Sequence, residues 1–332
     1  MALFLKPLQV GPVLLNNRLV MPPMATAKAE ADGMVSQAIL DYYEEKSQGG
    51  YISLIIVEHS FISQEGKASK NQLSIADDNV IENLKKLAEI IHQNKAKGVM
   101  QINHAGSATE EEIIGMRPVG PSPIVNLRKG KDVPHELTKK EIAEIIVAFQ
   151  NAATRVKEAG FDGVEIHSAH GYLLNQFFSP LSNKRKDEYG GNVLNRIRIH
   201  LEVIEAVRKT VGVDFPILFR LGAADYIEGG TTVEDSLIAV REFEKAGIDI
   251  LDISGGFCGY TIPGHTGEQG YFASLSEAMK KEVKIPVILT GGITEARIVE
   301  QLLAEQKADL IGVGRAVLND SEWAKQAVDS FR

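Results

Sequence analysis

A short segment of the chain groups two histidines and a tyrosine, as His167-Ser-Ala-His170-Gly-Tyr172. Neutral imidazoles at this spacing could donate hydrogen bonds to a substrate oxygen that gains negative charge, while the Tyr172 phenol supplies a proton. Closely spaced imidazoles can also bind zinc, and His104 could join them in space, although no carboxylate is close in sequence. Alternatively, the histidines could be core residues bonded to the backbone. We favour the first interpretation, in which this segment binds and protonates a substrate.

Glycine-rich turns follow two aliphatic runs near the end of the chain. Thr290-Gly-Gly-Ile-Thr294 follows one run, and Gly312-Val-Gly-Arg315 follows the next. Glycines let backbone N–H groups approach an anion, and the Arg315 guanidinium adds charge-assisted donors. Either turn alone is a weak signal, but together they predict a phosphorylated ligand.

Arg220 ends another aliphatic run, where an unpaired guanidinium would be costly to bury. One interpretation is a salt bridge to a carboxylate such as Asp225. The other places Arg220 beside an electron-rich ring that becomes anionic on reduction. The residues alone leave both interpretations open.

Short aliphatic runs alternate with segments of helical period, a pattern typical of βα units that build a parallel sheet. The expected strands are Arg18–Met21, Leu54–Glu58, Val99–Asn103, Gly163–His167, Pro216–Arg220, Ile250–Ser254, Pro286–Thr290 and Leu310–Val313. The expected helices include Asn79–Lys97, Lys139–Ala159, Asn195–Thr210, Val233–Ala246 and Glu295–Gln306. These units predict an α/β fold, a (β/α)8 TIM barrel, as a single domain over residues 1–332. A doubly wound sheet is the alternative, but Pro22-Pro-Met-Ala25 follows the first strand in place of a dinucleotide-binding glycine motif.

Capping residues indicate where several helices begin and end. Thr138 with Glu141, and Thr294 ahead of an amphipathic run, are expected N-caps. Gly160 and Gly247 are expected to end helices, because glycine readily adopts a positive φ angle.

The active site of a TIM barrel is built by the loops that follow the strands, so polar residues should concentrate there. Five of the eight histidines do so, namely His59, His104, His167, His170 and His265. Gln101, Arg220 and Ser254 also end their strands. The stretch His104–Leu137 is longer than structureless loops usually are, and we expect it to be a lid or a binding segment.

The composition argues against several classes of protein. The 332 residues include 36 Lys and Arg against 44 Asp and Glu, and this net charge of −8 disfavours a nucleic-acid binder. The longest aliphatic run, around Ile55, is about six residues and too short for a membrane helix, and the first residues do not resemble a signal peptide. Cys258 is the one cysteine, so we expect no disulfide, no four-cysteine metal site and a cytoplasmic location.

Taken together, the motifs resemble the Old Yellow Enzyme family of FMN-dependent NAD(P)H:flavin oxidoreductases. The resemblance covers nearly the whole chain and rests on Leu3-Phe4, Pro7-Leu8, Asn17-Arg18, Pro22-Pro23-Met24, Gln101–Gly106, Gly120-Pro-Ser122, Glu136-Leu-Thr138, His167–Tyr172, Asn175–Pro180, Asp187–Gly191, Asn195-Arg196 and Gly314-Arg315. It implies a barrel that holds FMN at its mouth, takes electrons from NADH or NADPH, and reduces an electron-poor alkene.

The resemblance also implies roles for particular residues. Those implied to contact FMN are Pro23, Met24, Ala25 and Thr26 along the ring, the His59 backbone and the Gln101 amide at the pyrimidine, Arg220 at the ring edge, and Gly291, Gly292, Gly314 and Arg315 at the phosphate. His167 and His170 would hold the carbonyl or nitro oxygen of the substrate, and Tyr172 would protonate its α-carbon. Ala25 stands where the family often has Thr or Cys, and it cannot make their side-chain bond to the flavin.

Within the family, the chain resembles the flavin barrel of 2,4-dienoyl-CoA reductases, which carry an iron–sulfur cluster and further nucleotide-binding domains. This chain ends at Arg332 and has one cysteine, so we expect neither, and electrons would come from a nicotinamide or a separate donor. His265 is either a second acid in the substrate pocket, as the subgroup suggests, or an exposed loop histidine. Barrels of this family often associate, so a homo-oligomer is a further expectation.

Other functions compete with ene reduction. A flavin-free aldolase or isomerase could use the same phosphate site, but it needs a lysine or a catalytic carboxylate at a strand end, where Glu58 is the one evident candidate. A non-catalytic flavin carrier would not need His167, His170 and Tyr172 together. A family member could also pass electrons to an acceptor other than an alkene. The sequence favours an FMN-dependent ene-reductase for α,β-unsaturated carbonyl or nitro compounds.

Overall fold

Eight parallel strands close into a barrel in the computed structural model of the chain, which describes residues 2–265 and 267–332. In chain order the strands are β1 (Leu19–Met21), β2 (Leu54–Phe61), β3 (Lys97–Asn103), β4 (Gly163–Ser168), β5 (Ile217–Gly222), β6 (Ile250–Ser254), β7 (Val287–Thr290) and β8 (Leu310–Gly312). Each strand pairs with the next, and β8 pairs with β1. The predicted runs coincide with these strands, and the TIM barrel is confirmed.

Helices connect the strands and surround the barrel. In the described part of the chain they are α1 (Gln37–Ser47), α2 (Ile81–Gln93), α3 (Glu111–Ile114), α4 (Lys139–Glu158), α5 (Leu173–Phe178), α6 (Val193–Arg196), α7 (Arg198–Val211), α8 (Val233–Ala246), α9 (Ala273–Glu282), α10 (Ala296–Ala304), α11 (Arg315–Asn319) and α12 (Trp323–Asp329). The helix expected over Asn195–Thr210 is divided at Ile197, whose ψ angle of 0° interrupts it. No helix among the described residues is both long and apolar enough to span a membrane.

The helix ends follow the predicted capping residues with one exception. Thr138 and Glu141 form a capping box at the start of α4, and Gly160 and Gly247 have φ angles of +83° and +104° after α4 and α8. The prediction that Thr294 is an N-cap was wrong, because α10 starts one residue later without a side-chain cap. Instead, the side-chain oxygen of Gln269 accepts hydrogen bonds from the backbone N–H groups of Thr294 and its neighbour.

An antiparallel hairpin, which the sequence did not predict, closes the floor of the barrel. Its strands are Leu8–Val10 and Val13–Leu15. The hairpin and the inner faces of the barrel strands form one buried apolar cluster of Val10, Leu15, Val20, Leu54, Ile56, Val99, Leu218, Ile250, Ile288 and Leu310. This cluster fills the lower half of the barrel, so the space for a ligand is at the opposite end, where the strands end.

The long connection after β3 contains short elements of its own. It includes α3 and a pair of two-residue strands, Val119–Gly120 and His135–Glu136, which lie parallel. The Arg185 guanidinium fastens the connection by donating hydrogen bonds to the carbonyl oxygens of Pro121 and Leu137. The connection is therefore an ordered arm over the mouth of the barrel.

Candidate active site

A cavity of about 400 Å³ opens at the carboxyl ends of the strands, within the range of about 300–1,000 Å³ typical of cofactor and small-molecule sites. Its lining consists of Pro22, Pro23, Met24, Ala25, His59, Gln101, Arg128, His167, His170, Tyr172, Arg220, Tyr260, Tyr271, Thr290, Gly292, Ile293, Thr294, Gly312, Gly314 and Arg315. All of the site residues proposed from the sequence are in this lining except Thr26, Gly291 and His265. Residues far apart in the chain thus share one cavity because their strands end together.

The histidines and tyrosine after β4 form one end of the cavity. The ring of His167 is 5.0 Å from that of His170 and 5.1 Å from that of Tyr172, between centroids. His170 has a φ angle of +61°, uncommon for a residue with a side chain, and its Nε2 lies 2.7 Å from Ser254 Oγ. Burial above all, together with charges such as Arg220, holds the pKa of both histidines well below the usual range. Burial also raises the pKa of Tyr172, so at neutral pH this end contains neutral imidazoles and a protonated phenol.

The zinc interpretation of these histidines has no geometric support. Within residues 2–265 and 267–332, no group of three or more His, Cys, Asp or Glu side chains is placed to hold a metal ion. His170 Nε2 is engaged with a serine hydroxyl rather than with a further ligand. The two imidazoles and the Tyr172 phenol instead place three hydrogen-bonding groups around one region of the cavity.

Arg220 pairs with Asp252 and not with Asp225. Arg220 and Asp252 are opposite each other in the register of β5 and β6, and Nε lies 3.2 Å from Oδ2. Asp225 accepts hydrogen bonds from Ser179 Oγ and from the backbone N–H of Phe257 instead. The expected partner was wrong, because strand register rather than spacing along the chain decides which carboxylate meets Arg220. Arg220 also lines the cavity, so its proposed place beside a ring that gains charge stays open.

A buried row of side chains behind the cavity connects Gln101 to Arg220. Gln101 Nε2 donates a 2.6 Å hydrogen bond to Glu165 Oε2, and the buried Asp252 carboxylate lies close enough to Glu165 for its charge to act on that acid. Burial and the Asp252 charge raise the pKa of Glu165 well above its ordinary value, and burial raises that of Asp252 to about 6. Because one guanidinium offsets only one negative charge, the two acids share a proton, which we assign to Glu165.

Thr26 lies just outside the cavity and is bound to Glu58. The backbone N–H and the hydroxyl of Thr26 both donate to the Glu58 carboxylate, the hydroxyl at 2.7 Å. Burial raises the pKa of Glu58 to about 7, although the bonds from Thr26 oppose the shift. The Thr26 hydroxyl is therefore unavailable to replace the side chain that Ala25 lacks. Glu58 holds the segment that carries Pro23 and Met24, and it does not line the cavity.

The two glycine turns form the opposite end of the cavity, beside Arg315. A Cβ atom on Gly312 would lie 2.0 Å from Thr290 Oγ1, and one on Gly292 would lie 2.6 Å from the Glu268 carbonyl oxygen. Gly292 also has a φ angle of +66°. Only glycine fits at these positions, and the backbone there is bare toward the cavity.

A line of four contacting residues, which we call the mouth span, crosses the rim of the cavity: Arg128, Tyr260, Tyr271 and Arg315. The Arg128 guanidinium lies 5.1 Å from the Tyr260 ring centroid. Tyr271 Oη donates a 2.5 Å hydrogen bond to the Tyr260 carbonyl oxygen, and Arg315 Nη2 lies 3.3 Å from Tyr271 Oη. Sequence reasoning missed Arg128, Tyr260 and Tyr271, and their only signal was their place in the loops after β3 and β6.

His265 and Gly291 are the other two proposed residues outside the lining. His265 is exposed, and its Nδ1 lies 2.7 Å from Glu268 Oε2. This position agrees with an exposed loop histidine rather than a second acid in the pocket. The Gly291 carbonyl oxygen accepts a 2.6 Å hydrogen bond from the Gly270 N–H and joins the β7 turn to the loop after β6.

The cavity is electropositive. It is lined by Arg128, Arg220 and Arg315, while no Asp or Glu is found in the described lining. Asp252 offsets the charge of Arg220 from behind the lining, so the charges without a salt-bridge partner among the described residues are those of Arg128 and Arg315 at the rim. An elongated anionic ligand is the complement of such a cavity.

The fold and the site define an α/β barrel enzyme scaffold with an arginine-lined cavity at its mouth. The chain belongs to the NADH:flavin oxidoreductase / NADH oxidase family, whose sequence model matches residues 2–331. The resemblance predicted from the motifs is therefore confirmed.

Similar proteins of different lengths support this assignment. The chain is 43% identical over 324 residues to an NADH oxidase of Thermoanaerobacter brockii, which covers 96% of this chain and 50% of that protein. It is 40% identical over 307 residues to an NADPH dehydrogenase of Clostridium acetobutylicum, at 92% and 88% coverage. The structure of an old yellow enzyme homologue from Zymomonas mobilis matches with a TM-score of 0.86 and 27% identity, over 100% of this chain and 94% of that one. The chain spans about half the length of the NADH oxidase.

Proposed function

We propose that the chain is an FMN-dependent NAD(P)H oxidoreductase that reduces the C=C bond of α,β-unsaturated carbonyl or nitro compounds. The observation that carries this proposal is the division of one cavity into two ends, with glycine turns and Arg315 at one end and neutral imidazoles with a phenol at the other. Relatives named NADH oxidase and NADPH dehydrogenase support it.

The residues of the cavity fit FMN. The Thr290 hydroxyl is buried without a hydrogen-bond partner among the described residues, and the bare backbone at Gly292 leaves room for an anion. Arginine side chains without a carboxylate in the lining suit a phosphate and a ring that gains charge. We infer that Gly292, Gly314 and Arg315 hold the phosphate, while Gln101, Arg220 and Pro23–Ala25 hold the ring.

Bound FMN would accept a hydride from NADH or NADPH and deliver it to the alkene. His167 and His170 bind the substrate oxygen through neutral imidazole N–H groups and stabilise the negative charge that develops on it. Tyr172 Oη holds the proton destined for the α-carbon, and its raised pKa keeps it protonated at neutral pH. The arrangement therefore supports charge stabilisation and proton delivery at one end of the cavity.

The cavity does not favour an aldolase or isomerase. Its described lining contains no lysine and no carboxylate, which such reactions require as nucleophile or base. Glu58, the candidate from the sequence, is bound to Thr26 outside the lining. A simple flavin carrier would have no use for two imidazoles and a phenol held within about 5 Å of one another.

We also propose that residues 1–332 form one FMN-binding domain, that this domain works in the cytoplasm, and that it forms homo-oligomers. We propose that electrons come directly from a nicotinamide, NADH or NADPH. The substrate is an electrophilic alkene. Kinetic measurements with NADH and with NADPH determine which nicotinamide the protein prefers.

Anaerobic stopped-flow absorbance tests the proposal. FMN-loaded protein is reduced with NADH or NADPH and then mixed with 2-cyclohexenone or a nitroalkene. We expect rapid flavin reoxidation, slowed about 100-fold or more for the enone in Tyr172→Phe. Tyr260→Phe makes the same change elsewhere in the cavity and should leave the rate nearly unchanged. Reduction by nicotinamide without reoxidation by any alkene would contradict the proposal and indicate a different acceptor.

A further inference from the structure

The side chain of His59 has no role in the function proposed above, and the family resemblance implies a role only for its backbone. Its ring nevertheless lies at the substrate end of the cavity, with its centroid 5.4 Å from that of Tyr172 and 6.4 Å from that of His167. His59 ends up there because β2 brings it to the mouth of the barrel beside β4 residues. A third imidazole therefore faces the same region as the two expected donors.

The backbone fixes the orientation of the amide that holds His59. The Ala68 N–H donates a 2.6 Å hydrogen bond to Gln72 Oε1, so the other terminal atom of that amide, Nε2, must face His59. Gln72 Nε2 lies 3.0 Å from the His59 carbonyl oxygen and 2.6 Å from His59 Nδ1. Gln72 is only 4% exposed. Since an amide NH2 group donates and does not accept, Nδ1 of His59 is the acceptor.

The acceptor role of Nδ1 determines where the ring carries its proton. Burial above all, with the charges of Lys129 and Arg220 nearby, lowers the pKa of His59 to about 4, so the imidazole is neutral at physiological pH. A neutral imidazole that accepts at Nδ1 is protonated at Nε2. No described residue accepts a hydrogen bond from that Nε2–H, and the ring lines the cavity. The Nε2–H is thus a free, oriented donor.

We propose that His59 is a substrate-binding donor that selects for substrates with two acceptor oxygens, and that Gln72 is its positioning residue. A single carbonyl oxygen has two lone pairs, which His167 and His170 already satisfy. A nitro group or an unsaturated ester or acid carries a second oxygen, which His59 binds from the Tyr172 side. This inference rests on the proposed function and names the substrate class that the site prefers.

The kinetic test compares two substrates of equal ring size, 1-nitrocyclohexene and 2-cyclohexenone. In His59→Leu we expect kcat/KM for the nitroalkene to fall about 10- to 100-fold, as for loss of a hydrogen bond to a charged acceptor, and that for the enone to fall less than about threefold. His59→Gln places an amide N–H near the former Nε2 position and should keep most of the nitroalkene activity. If His59 had a merely structural role, His59→Leu would lower kcat/KM equally for both substrates, and His59→Gln would not restore it.

The proton position is tested without turnover, by ¹⁵N NMR of histidine-labelled holoprotein, with His59 assigned from His59→Gln. We expect a protonated Nε2 and an unprotonated Nδ1. Gln72→Glu keeps the acceptor for Ala68 N–H but replaces the donor to His59, and should place a proton on Nδ1. A protonated Nδ1 in the wild type, or equal losses on both substrates, overturns the inference. If the wild type reduces neither substrate, the proposed function fails instead.

Discussion

Gln101 and Glu165 are opposite each other on β3 and β4, and the Gln101 amide donates a 2.6 Å hydrogen bond to the Glu165 carboxyl group. Gln101 lines the cavity, whereas Glu165 is fully buried behind it. The bond directs the amide nitrogen of Gln101 backward and leaves its oxygen for a ligand. Glu165, which does not line the cavity, therefore orients a side chain that does.

The shared proton between Glu165 and Asp252 predicts which substitution the site tolerates. Glu165→Gln can still accept from Gln101 and, like the protonated acid, carries no charge beside Asp252, so we expect its stability to stay within about 1 kcal/mol of the wild type. Glu165→Leu has similar volume but leaves the buried Gln101 amide without its acceptor, and should cost about 1–3 kcal/mol and weaken FMN binding. Urea denaturation at neutral pH and FMN titration measure both effects. Equal losses in the two variants would show that Glu165 is ionised.

Glu58 predicts a pH dependence of stability. Its pKa is about 7 in the folded chain against 4.5 for an ordinary glutamate, so the folded state binds more protons between these values. Stability should therefore fall as pH rises from about 4.5 to about 7, by at most about 3 kcal/mol from this group. Glu58→Gln can keep both bonds to Thr26 and should lose that slope. The difference in unfolding free energy between wild type and variant at about pH 5 and about pH 8 tests this, and parallel pH profiles would refute it.

The position of Arg315 beside the glycine turns predicts that this residue strengthens the binding of FMN but not that of riboflavin. Arg315→Ala should weaken FMN binding about tenfold or more, because a charge-assisted hydrogen bond to phosphate is lost, and leave riboflavin affinity nearly unchanged. Tyr271→Phe removes the 3.3 Å contact to Arg315 while the guanidinium stays, and serves as the matched control. Quenching of flavin fluorescence gives both affinities. An equal loss for the two flavins would place the phosphate elsewhere.

The close approach of Gly312 to Thr290 predicts that a substitution at Thr290 compensates for one at Gly312. In Gly312→Ala the new Cβ would lie 2.0 Å from Thr290 Oγ1, so the threonine must move toward the cavity or the strand must shift. We expect a loss of about 1–3 kcal/mol in unfolding free energy and weaker FMN binding. Adding Thr290→Ala removes the clash and should restore most of the stability. No recovery in the double variant would mean that Gly312 is required for its backbone alone.

The sequence predicted the barrel because buried strands are continuous aliphatic runs and surface helices have a 3.6-residue period. These are local patterns, and Val233–Ala246 was predicted to the residue. The sequence did not predict the hairpin of Leu8–Val10 and Val13–Leu15, because its two three-residue strands are short and are not followed by helices in a βα pattern. Thr294 was misjudged because its N–H is satisfied by Gln269, from a loop that precedes it by one helix and one strand.

The polar site was predictable only as far as single residue types reveal chemistry. His167, His170 and Tyr172 announce themselves by their spacing and their place after a strand. The partners that set their neighbours' protonation come from elsewhere in the barrel: Asp252 meets Arg220 only through strand register. Gln72 likewise reaches His59 only through a folded loop. Partners of this kind contact a site residue only in the folded chain, so no sequence pattern beside that residue reveals them.

If the site works as proposed, the mouth span gives the cofactor and the substrate different residence times. Arg128, Tyr260, Tyr271 and Arg315 connect the arm after β3 to the start of α11, in a row that runs along the rim. In the proposed arrangement, a small substrate needs only the His167 end and would exchange while this row is intact. A flavin nucleotide would reach from that end to Arg315, so its release would require the row to open as a unit. The cofactor would then leave at the rate of loop opening, and stay through many turnovers.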